Sequence, residues 1–271
     1  MAQEPGAHDV WEVGAGYEAY VGRWSRLVAG DFLGWLGGSR DRRWLDVGCG
    51  TGTLVEAILG HAEPLLVLGV DRSVGFVRHA RARLVGVGTA FQVGDAQALP
   101  VPARGFDAVV SGLVLNFVPD PASMVAEMAR AARPGGLVAL YVWDYRAGME
   151  LIRRFWDAAR ALDPAAAALD EGIRFPICAP APLAALFAAA GLRGVATRAI
   201  DVPTRFRDFE DYWRPFLGGQ GPAPAYAASL PEDRRSALRE LIRGALPAAS
   251  DGSIGLTARA WAVRGSRPAS S

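Results

Sequence analysis

Three carboxylates, each set at the end of a short apolar run, carry the most legible chemistry in this chain. The first, Asp46, stands within Leu45-Asp46-Val47-Gly48-Cys49-Gly50-Thr51-Gly52. Gly48, Gly50 and Gly52 allow a tight turn and a close approach of backbone to a ligand, because no Cβ stands in the way. The free N–H groups that open the following helix face the same space. A dinucleotide fingerprint would read GxGxxG and place a pyrophosphate on that helix terminus. Here the spacing is GxGxG, Thr53 takes the place of the third glycine of that fingerprint, and a carboxylate precedes the loop. A carboxylate there repels a pyrophosphate and attracts an ammonium. Asp71 lies 19 residues beyond Gly52, where it can accept hydrogen bonds from both hydroxyls of a ribose. Charge-assisted bonds of this kind contribute about 1.5–3 kcal/mol each. Asp95, in Gly94-Asp95-Ala96, can accept from an adenine exocyclic amine. A lone Asp at a strand end is more often a turn former or a helix cap. Three in order, at consistent strand ends, point to a nucleoside site.

The elements that must position these residues follow from the apolar periodicity. Tyr17, Tyr20, Val21, Trp24, Leu27 and Val28 recur at helical spacing, which predicts an amphipathic helix over 16–37 that stops at Gly37-Gly38. Residues 44–47, 65–70, 89–93, 106–111 and 137–143 read as buried strands, and 53–59, 73–84 and 121–132 as the helices between them. Ser73 can cap the second of these helices. Strand and helix alternate with short connections, and the strands lack polar alternation, so the expected product is a doubly wound α/β sheet of the Rossmann type. Beyond Trp143 the spacing predicts an Ala-rich helical stretch in 147–179, a helix over 182–190 and a strand at 195–200. An aromatic helical segment follows at 205–217, then a Gly/Pro loop at 218–224, a helix at 231–246 and a last strand at 253–263. The expected organisation is one domain over 1–265, with core segments 40–145 and 180–265, a cap helix at 16–37, lid segments at 146–179 and 205–250, and a loose tail at 266–271.

An ammonium beside Asp46 and a ribose on Asp71 are both supplied by S-adenosylmethionine, and a dinucleotide supplies no ammonium. The ordered set LDVGCGTG, LGVDRS, GDAQALP, FDAVVSGLVLNFVPDP and ARPGGLVAL resembles the class I S-adenosylmethionine-dependent methyltransferases of the small-molecule type, over about residues 40–145. The resemblance implies a seven-stranded sheet whose last strand is antiparallel. It implies that Asp46, Gly48, Cys49 and Gly50 surround the methionine moiety, and that Asp71, with Arg72 and Ser73, holds the ribose. It places Asp95 and Ala96 at the adenine, and Ser111, Gly112 and Leu113 beside the cofactor. Tyr20, Arg23 and Trp24 resemble the helix that covers the cofactor; the other reading is an amphipathic core helix with a solvated Arg23. Asn116 stands where many relatives carry His, which removes the basis for borrowing an acid–base role there.

Methyl transfer from a sulfonium is an in-line displacement that requires alignment and exclusion of water more than a nucleophile triad. A base helps only where the acceptor must lose a proton. His8, His61 and His79 fall at the N-terminus or on flanking helices, so no catalytic histidine is assigned. No catalytic residue is fixed by the sequence; Asp144, Tyr145 and Asn116 are the candidates, Asp144 as a base, with a loop or cap role its first reading. No carboxylate cluster with metal-binding spacing is evident, so no metal is expected. Phe209, Trp213 and Phe216, with Trp143 and Phe175, form an aromatic set that reads either as a core stripe or as the roof of an acceptor pocket.

Composition narrows the partners. Lys and Arg total 29 against 28 Asp and Glu, a formal net charge of +1, which gives no electrostatic reason to seek nucleic acid or an anionic membrane. No apolar run approaches the roughly 20 residues that span a bilayer. The two cysteines, Cys49 and Cys178, form no CxxC pair, and the N-terminus lacks a signal-peptide pattern, so a cytoplasmic protein is expected. The expected partner is a small-molecule acceptor, with a homodimer compatible with the sequence. The rival readings are a nicotinamide-dependent oxidoreductase on a related sheet, a cofactor-binding subunit without turnover, and a nucleic-acid methyltransferase. Against the first stand Asp46 and the glycine spacing. Against the last stand the missing basic stripe and the absence of an Asn/Asp-Pro-Pro-Tyr/Phe segment after the fourth strand.

Overall fold

Trp44, Leu45, Asp46 and Val47 are buried without alternation, as are Ala108, Val109, Val110 and Ser111. Strands of this kind are stable only with both faces covered, and here they form the middle of a sheet. The computed structural model describes residues 22–37, 42–84, 86, 88–218 and 221–269. The strands are β1 (Arg43–Val47), β2 (Leu66–Asp71), β3 (Thr89–Val93), β4 (Phe106–Gly112), β5 (Ala132–Trp143), β6 (Arg193–Phe206) and β7 (Ile254–Ser266). Their order is β3-β2-β1-β4-β5-β7-β6. β1 to β5 pair in parallel, and β7 runs antiparallel between β5 and β6. The chain therefore has the seven-stranded Rossmann-like sheet with its last strand antiparallel.

The order reverses between β1 and β4, which opens a crevice at the carboxyl ends of the strands. Helix α1 (Arg23–Leu36) packs on α2 (Thr53–Ala62), and α3 (Val74–Arg83) lies on β2 and β3. α4 (Pro121–Ala131) lies on β4 and β5 and meets α7 (Pro180–Ala189). Caps fix the helix starts that border the crevice. The Ser73 hydroxyl accepts from the Phe76 N–H at 3.3 Å. The Asp120 carboxylate accepts from the N–H groups of Ala122 and Ser123, with Pro121 at the first helical position. Among the described residues no helix is long and apolar enough to cross a membrane.

The second half departs from the sequence expectation in four places. β6 continues to Phe206 rather than ending at 200, with Ile200, Val202, Thr204 and Phe206 buried in strict alternation. Pro203 masks that pattern, and the sheet tolerates it because β6 is an edge strand. The Gly/Pro stretch at 218–224 opens α9 (Pro222–Ser229): Gly221 at φ 88° precedes a proline at the first helical position. The Ala-rich stretch is divided into α5 (Glu150–Leu162), a 3-10 turn at Pro164–Ala168 and the short α6 (Glu171–Arg174), the last two capped by Asp163 and Asp170. The described residues just after Gly265 are tied to the fold. Ser266 ends β7, and the Arg267 guanidinium donates to the carbonyls of Ala129, Arg130 and Ala132 at the end of α4. Beyond β6, α8 (Phe209–Trp213) leads into a 3-10 turn at Arg214–Leu217, and α10 (Glu232–Ala245) precedes β7.

Candidate functional site

A cleft of about 920 Å³ opens at the carboxyl ends of β1, β2, β3 and β4. Its floor begins with Asp46, the penultimate residue of β1. Asp46 is 1% exposed, and neither carboxyl oxygen has a hydrogen-bond partner among the described residues. Burial, with a further push from the charge of Asp71, raises its pKa to about 8. A buried, unpaired carboxyl is costly, and it persists most easily where a cationic ligand completes it.

The glycine loop sits above Asp46 and is tied to β2, since the N–H groups of Gly48 and Cys49 both donate to the Val70 carbonyl. Gly48 holds φ 75°, and a Cβ there would lie 2.5 Å from a Val114 methyl. Gly48→Ala is therefore expected to force the loop off Val114, costing ~1–3 kcal/mol of stability together with ligand affinity; thermal unfolding with and without S-adenosylhomocysteine measures both. Gly50 holds φ 52°, and a Cβ there would meet no protein atom within 4 Å.

Asp71 organises the loop from the neighbouring strand. Its Oδ2 accepts from the Gly50 N–H at 2.9 Å, and its Oδ1 from the Ser73 N–H at 2.8 Å. Burial nevertheless raises its pKa, against those two bonds and the charge of Arg72. The carboxylate of Asp95 accepts from the backbone and side-chain N–H groups of Gln97, whose Oε1 in turn accepts from the Asp120 N–H. Across the cleft, Leu113 adopts φ 64°, in the left-handed region, and donates its N–H to the Tyr141 carbonyl. A non-glycine residue held there costs about 1–3 kcal/mol and marks a wall shaped by its surroundings. Asn116 lies in a 3-10 turn at Leu115–Phe117, buried, with both amide atoms lacking a partner among the described residues. The Thr53 hydroxyl is unpartnered in the same way. The cleft ends in aromatic rings: Phe117 meets Phe175 at 5.5 Å, and the Arg174 guanidinium lies 5.1 Å from the Phe175 ring.

The fold thus gathers on one cleft Asp46, Gly48, Cys49, Gly50, Asp71, Arg72, Ser73, Asp95, Ala96, Gly112 and Leu113, together with Asn116 and Phe175. Other sequence candidates stand elsewhere. Ser111 is buried under the cleft, and its hydroxyl donates to the Val47 carbonyl, tying β4 to β1. Arg23 lies over Trp24 and Phe206 and pairs with Asp211, while Trp24 is buried against Phe206. These two fasten α1 to the edge strand, and Ser25 is the helix residue that reaches the cleft. Tyr20 lies outside the described residues. Asp144 is buried and accepts from the Ala147 N–H in a turn, and Tyr145 sits beside Phe175 without bordering the cleft.

Trp143, Phe209, Trp213 and Phe216 form no roof over this cleft. Phe216 stacks on Phe155 of α5 at 4.6 Å, Trp213 stacks on Phe209, and the Tyr212 hydroxyl donates to the Leu151 carbonyl. The aromatic spacing of 205–217 is a core stripe, completed by the apolar face of α5. Phe117 and Arg174 border the cleft without any local motif to mark them, because a turn and a short capped helix bring them there.

The donor set suits the ends of S-adenosylmethionine. An unpaired buried carboxyl faces the place of an ammonium, and a second carboxylate at the β2 end suits a ribose diol. A pyrophosphate would meet the carboxyl of Asp46.

Residues 45–140 match the model of a family described as a methyltransferase domain. A demethylmenaquinone methyltransferase from Roseiflexus castenholzii is 38% identical over 97 residues, which cover 36% of this chain and 41% of that protein. A trans-aconitate 2-methyltransferase from Methylobacterium nodulans is 34% identical over 117 residues, 43% of this chain and 44% of that one. The matches therefore span less than half the length of these relatives. Among solved structures, phosphoethanolamine N-methyltransferase 2 from Haemonchus contortus, in complex with S-adenosyl-L-methionine, superposes with a TM-score of 0.61 at 15% identity. That superposition covers 100% of this chain and 61% of that one. Residues 45–140 are therefore similar to a methyltransferase domain, and the chain has a Rossmann-like methyltransferase fold.

Proposed function

We propose that this chain transfers a methyl group from S-adenosylmethionine to a small-molecule acceptor. The observation that carries the reading is the Asp46 carboxyl, buried without a partner beneath a glycine loop. When bound, the cofactor supplies an activated methyl group on a sulfonium. Asp46 accepts from the ammonium of the methionine moiety, and Asp71 accepts from the ribose while its bond from Gly50 holds the loop in place. Asp95, Ala96, Gly112 and Leu113 line the cleft; Asp95 and Ala96 would hold the adenine, and Gly112 and Leu113 would wall the sulfonium side. Acceptors enter at the other end, beside the paired rings of Phe117 and Phe175, which exclude water. Alignment of this kind can supply about 7–11 kcal/mol of the barrier.

A small-molecule acceptor agrees with the near-neutral charge and with relatives named for demethylmenaquinone and trans-aconitate. The reading takes the chain as a cytoplasmic protein able to form a homodimer, and light scattering tests the dimer. A nicotinamide oxidoreductase is not favoured, because residues 45–140 match a methyltransferase domain and the loop spacing is GxGxG. A cofactor-binding subunit without turnover would share the cleft and differ only in lacking an acceptor.

The test is calorimetric titration with S-adenosylhomocysteine and, in parallel, NADH. Micromolar binding of the former is expected, weakened at least roughly 30-fold in Asp71→Ala, which removes charge-assisted bonds worth ~2 kcal/mol or more. Binding of NADH alone would overturn the proposal.

A further inference from the structure

The cofactor-binding reading leaves the acceptor open, and the distribution of ionisable groups on the cleft narrows it. The carboxylates of the cleft, Asp46, Asp71 and Asp95, all stand at the ends of β1, β2 and β3 or just beyond them. The Cys49 thiol lies on the same side, its pKa pushed up by burial and by the two nearer carboxylates. The opposite end, over β4 and β5, is bordered among the described residues by Tyr141, Asn116, Arg174 and aromatic or aliphatic side chains. An amide and a guanidinium take no proton at neutral pH, and a phenol gives one rather than taking it. Alcohol and amine acceptors shed a proton during methylation. Nothing described at this end is built to receive it.

Two features point to what is built there. Arg174 brings a guanidinium to the rim beside the Phe175 ring. Its position is set from behind: Arg153 grips Asp170, the cap of α6, through two bonds of 2.6 and 2.8 Å, and the Trp156 indole donates to Glu171. Asn116 offers a buried amide N–H with no partner among the described residues. A guanidinium and an amide donor, over an apolar floor, are matched to a planar anion.

We infer that the acceptor is an anionic molecule carrying a carboxylate on an apolar or aromatic body, held by Arg174 and Asn116 and methylated on oxygen without a base from the described residues. This inference rests on the methyl-transfer reading. A lone pair of the carboxylate oxygen forms the new C–O bond to the methyl carbon. The methyl–sulfur bond breaks, and its electron pair stays on sulfur. The sulfonium becomes a neutral thioether, the carboxylate becomes a methyl ester, and no proton moves.

The test uses the full chain saturated with S-adenosylhomocysteine, titrated with benzoate, phenylacetate and cinnamate and with the primary amides of each. The expected result is carboxylate binding about 10-fold or more tighter than amide binding, ~1.4 kcal/mol of preference. Arg174→Gln removes the preference, Arg174→Lys retains part of it, and neither changes S-adenosylhomocysteine affinity. The carboxylate that binds best is then expected to yield its methyl ester with S-adenosylmethionine. Amides binding as tightly as carboxylates, no carboxylate binding at millimolar concentration, or a preference that survives Arg174→Gln would each overturn the inference. Failure of S-adenosylhomocysteine itself to bind sinks the methyl-transfer reading instead, and is seen before any acceptor is added.

Discussion

Asp46→Asn is expected to stabilise the ligand-free protein and to weaken its binding of S-adenosylhomocysteine at least roughly 30-fold. Asp46 ionises near its ordinary carboxylate range in the unfolded chain and at about 8 in the fold, because burial penalises the charge. Below pH 4 the carboxyl is protonated in both states and contributes nothing to the pH dependence. Between about pH 4 and 8 the unfolded chain gives up the proton freely while the folded one retains it. Stability therefore falls with rising pH, by up to ~1.4 kcal/mol per unit, and levels off above 8. Asparagine has no such slope, although its own buried amide costs about 1–3 kcal/mol. The net expectation is a variant ~1–3 kcal/mol more stable at pH 8, with the gain shrinking towards pH 5. Glu171, raised to about 7 by burial, adds a slope of the same sign to both proteins, so the difference between them isolates Asp46. Urea unfolding across pH 5–8 makes the measurement.

Binding runs the other way. An ammonium beside the carboxyl restores its charge, so the wild-type protein releases close to one proton on binding near pH 7. That release appears as a binding heat that depends on the ionisation enthalpy of the buffer. Removing the carboxyl leaves the ammonium without its partner at a cost of ~2–5 kcal/mol, roughly 30-fold to several thousand-fold in affinity. A variant that loses stability at every pH while binding normally would refute this role for Asp46.

Phe216→Ala is expected to be the reverse experiment, with a large loss of stability and an unchanged cofactor site. Phe216 is fully buried, stacked on Phe155 and within 6 Å of Tyr212 and Trp213. Truncation of such a ring costs about 3–5 kcal/mol, or roughly 6–20 °C in Tm for a domain of this size. Affinity for S-adenosylhomocysteine, measured well below the new Tm, is expected to stay at the wild-type value. A lid residue would behave differently, with little change in Tm and a clear change in ligand binding.

The contrast between these two residues reflects what a sequence encodes locally. Asp46, Asp71 and Asp95 were legible because strand ends follow from apolar runs, and open α/β sheets bind ligands at those ends. The glycine loop was legible because GxGxG differs from a dinucleotide loop at one position, Thr53. Phe209, Trp213 and Phe216 had the spacing of a buried stripe, and only the tertiary partner Phe155 shows which surface covers them. The reach of β6 to Phe206 is hard to see in the sequence, since a proline disfavours a strand interior and the edge position that excuses Pro203 exists only in the assembled sheet. Phe117 and Arg174 carry no motif. Their place on the cleft depends on the turn after β4 and on the Asp170 cap, neither of which spacing alone connects.

A crystal structure of the complex with S-adenosylhomocysteine decides whether Asp46 and Asp71 hold the cofactor. The expected result is the ligand's ammonium within hydrogen-bonding distance of Asp46, both ribose hydroxyls on the Asp71 carboxylate, and the sulfur directed towards the Phe117 and Phe175 end of the cleft. A ligand bound with its ammonium away from Asp46, or lying outside the cleft between the glycine loop and Leu113, would contradict it.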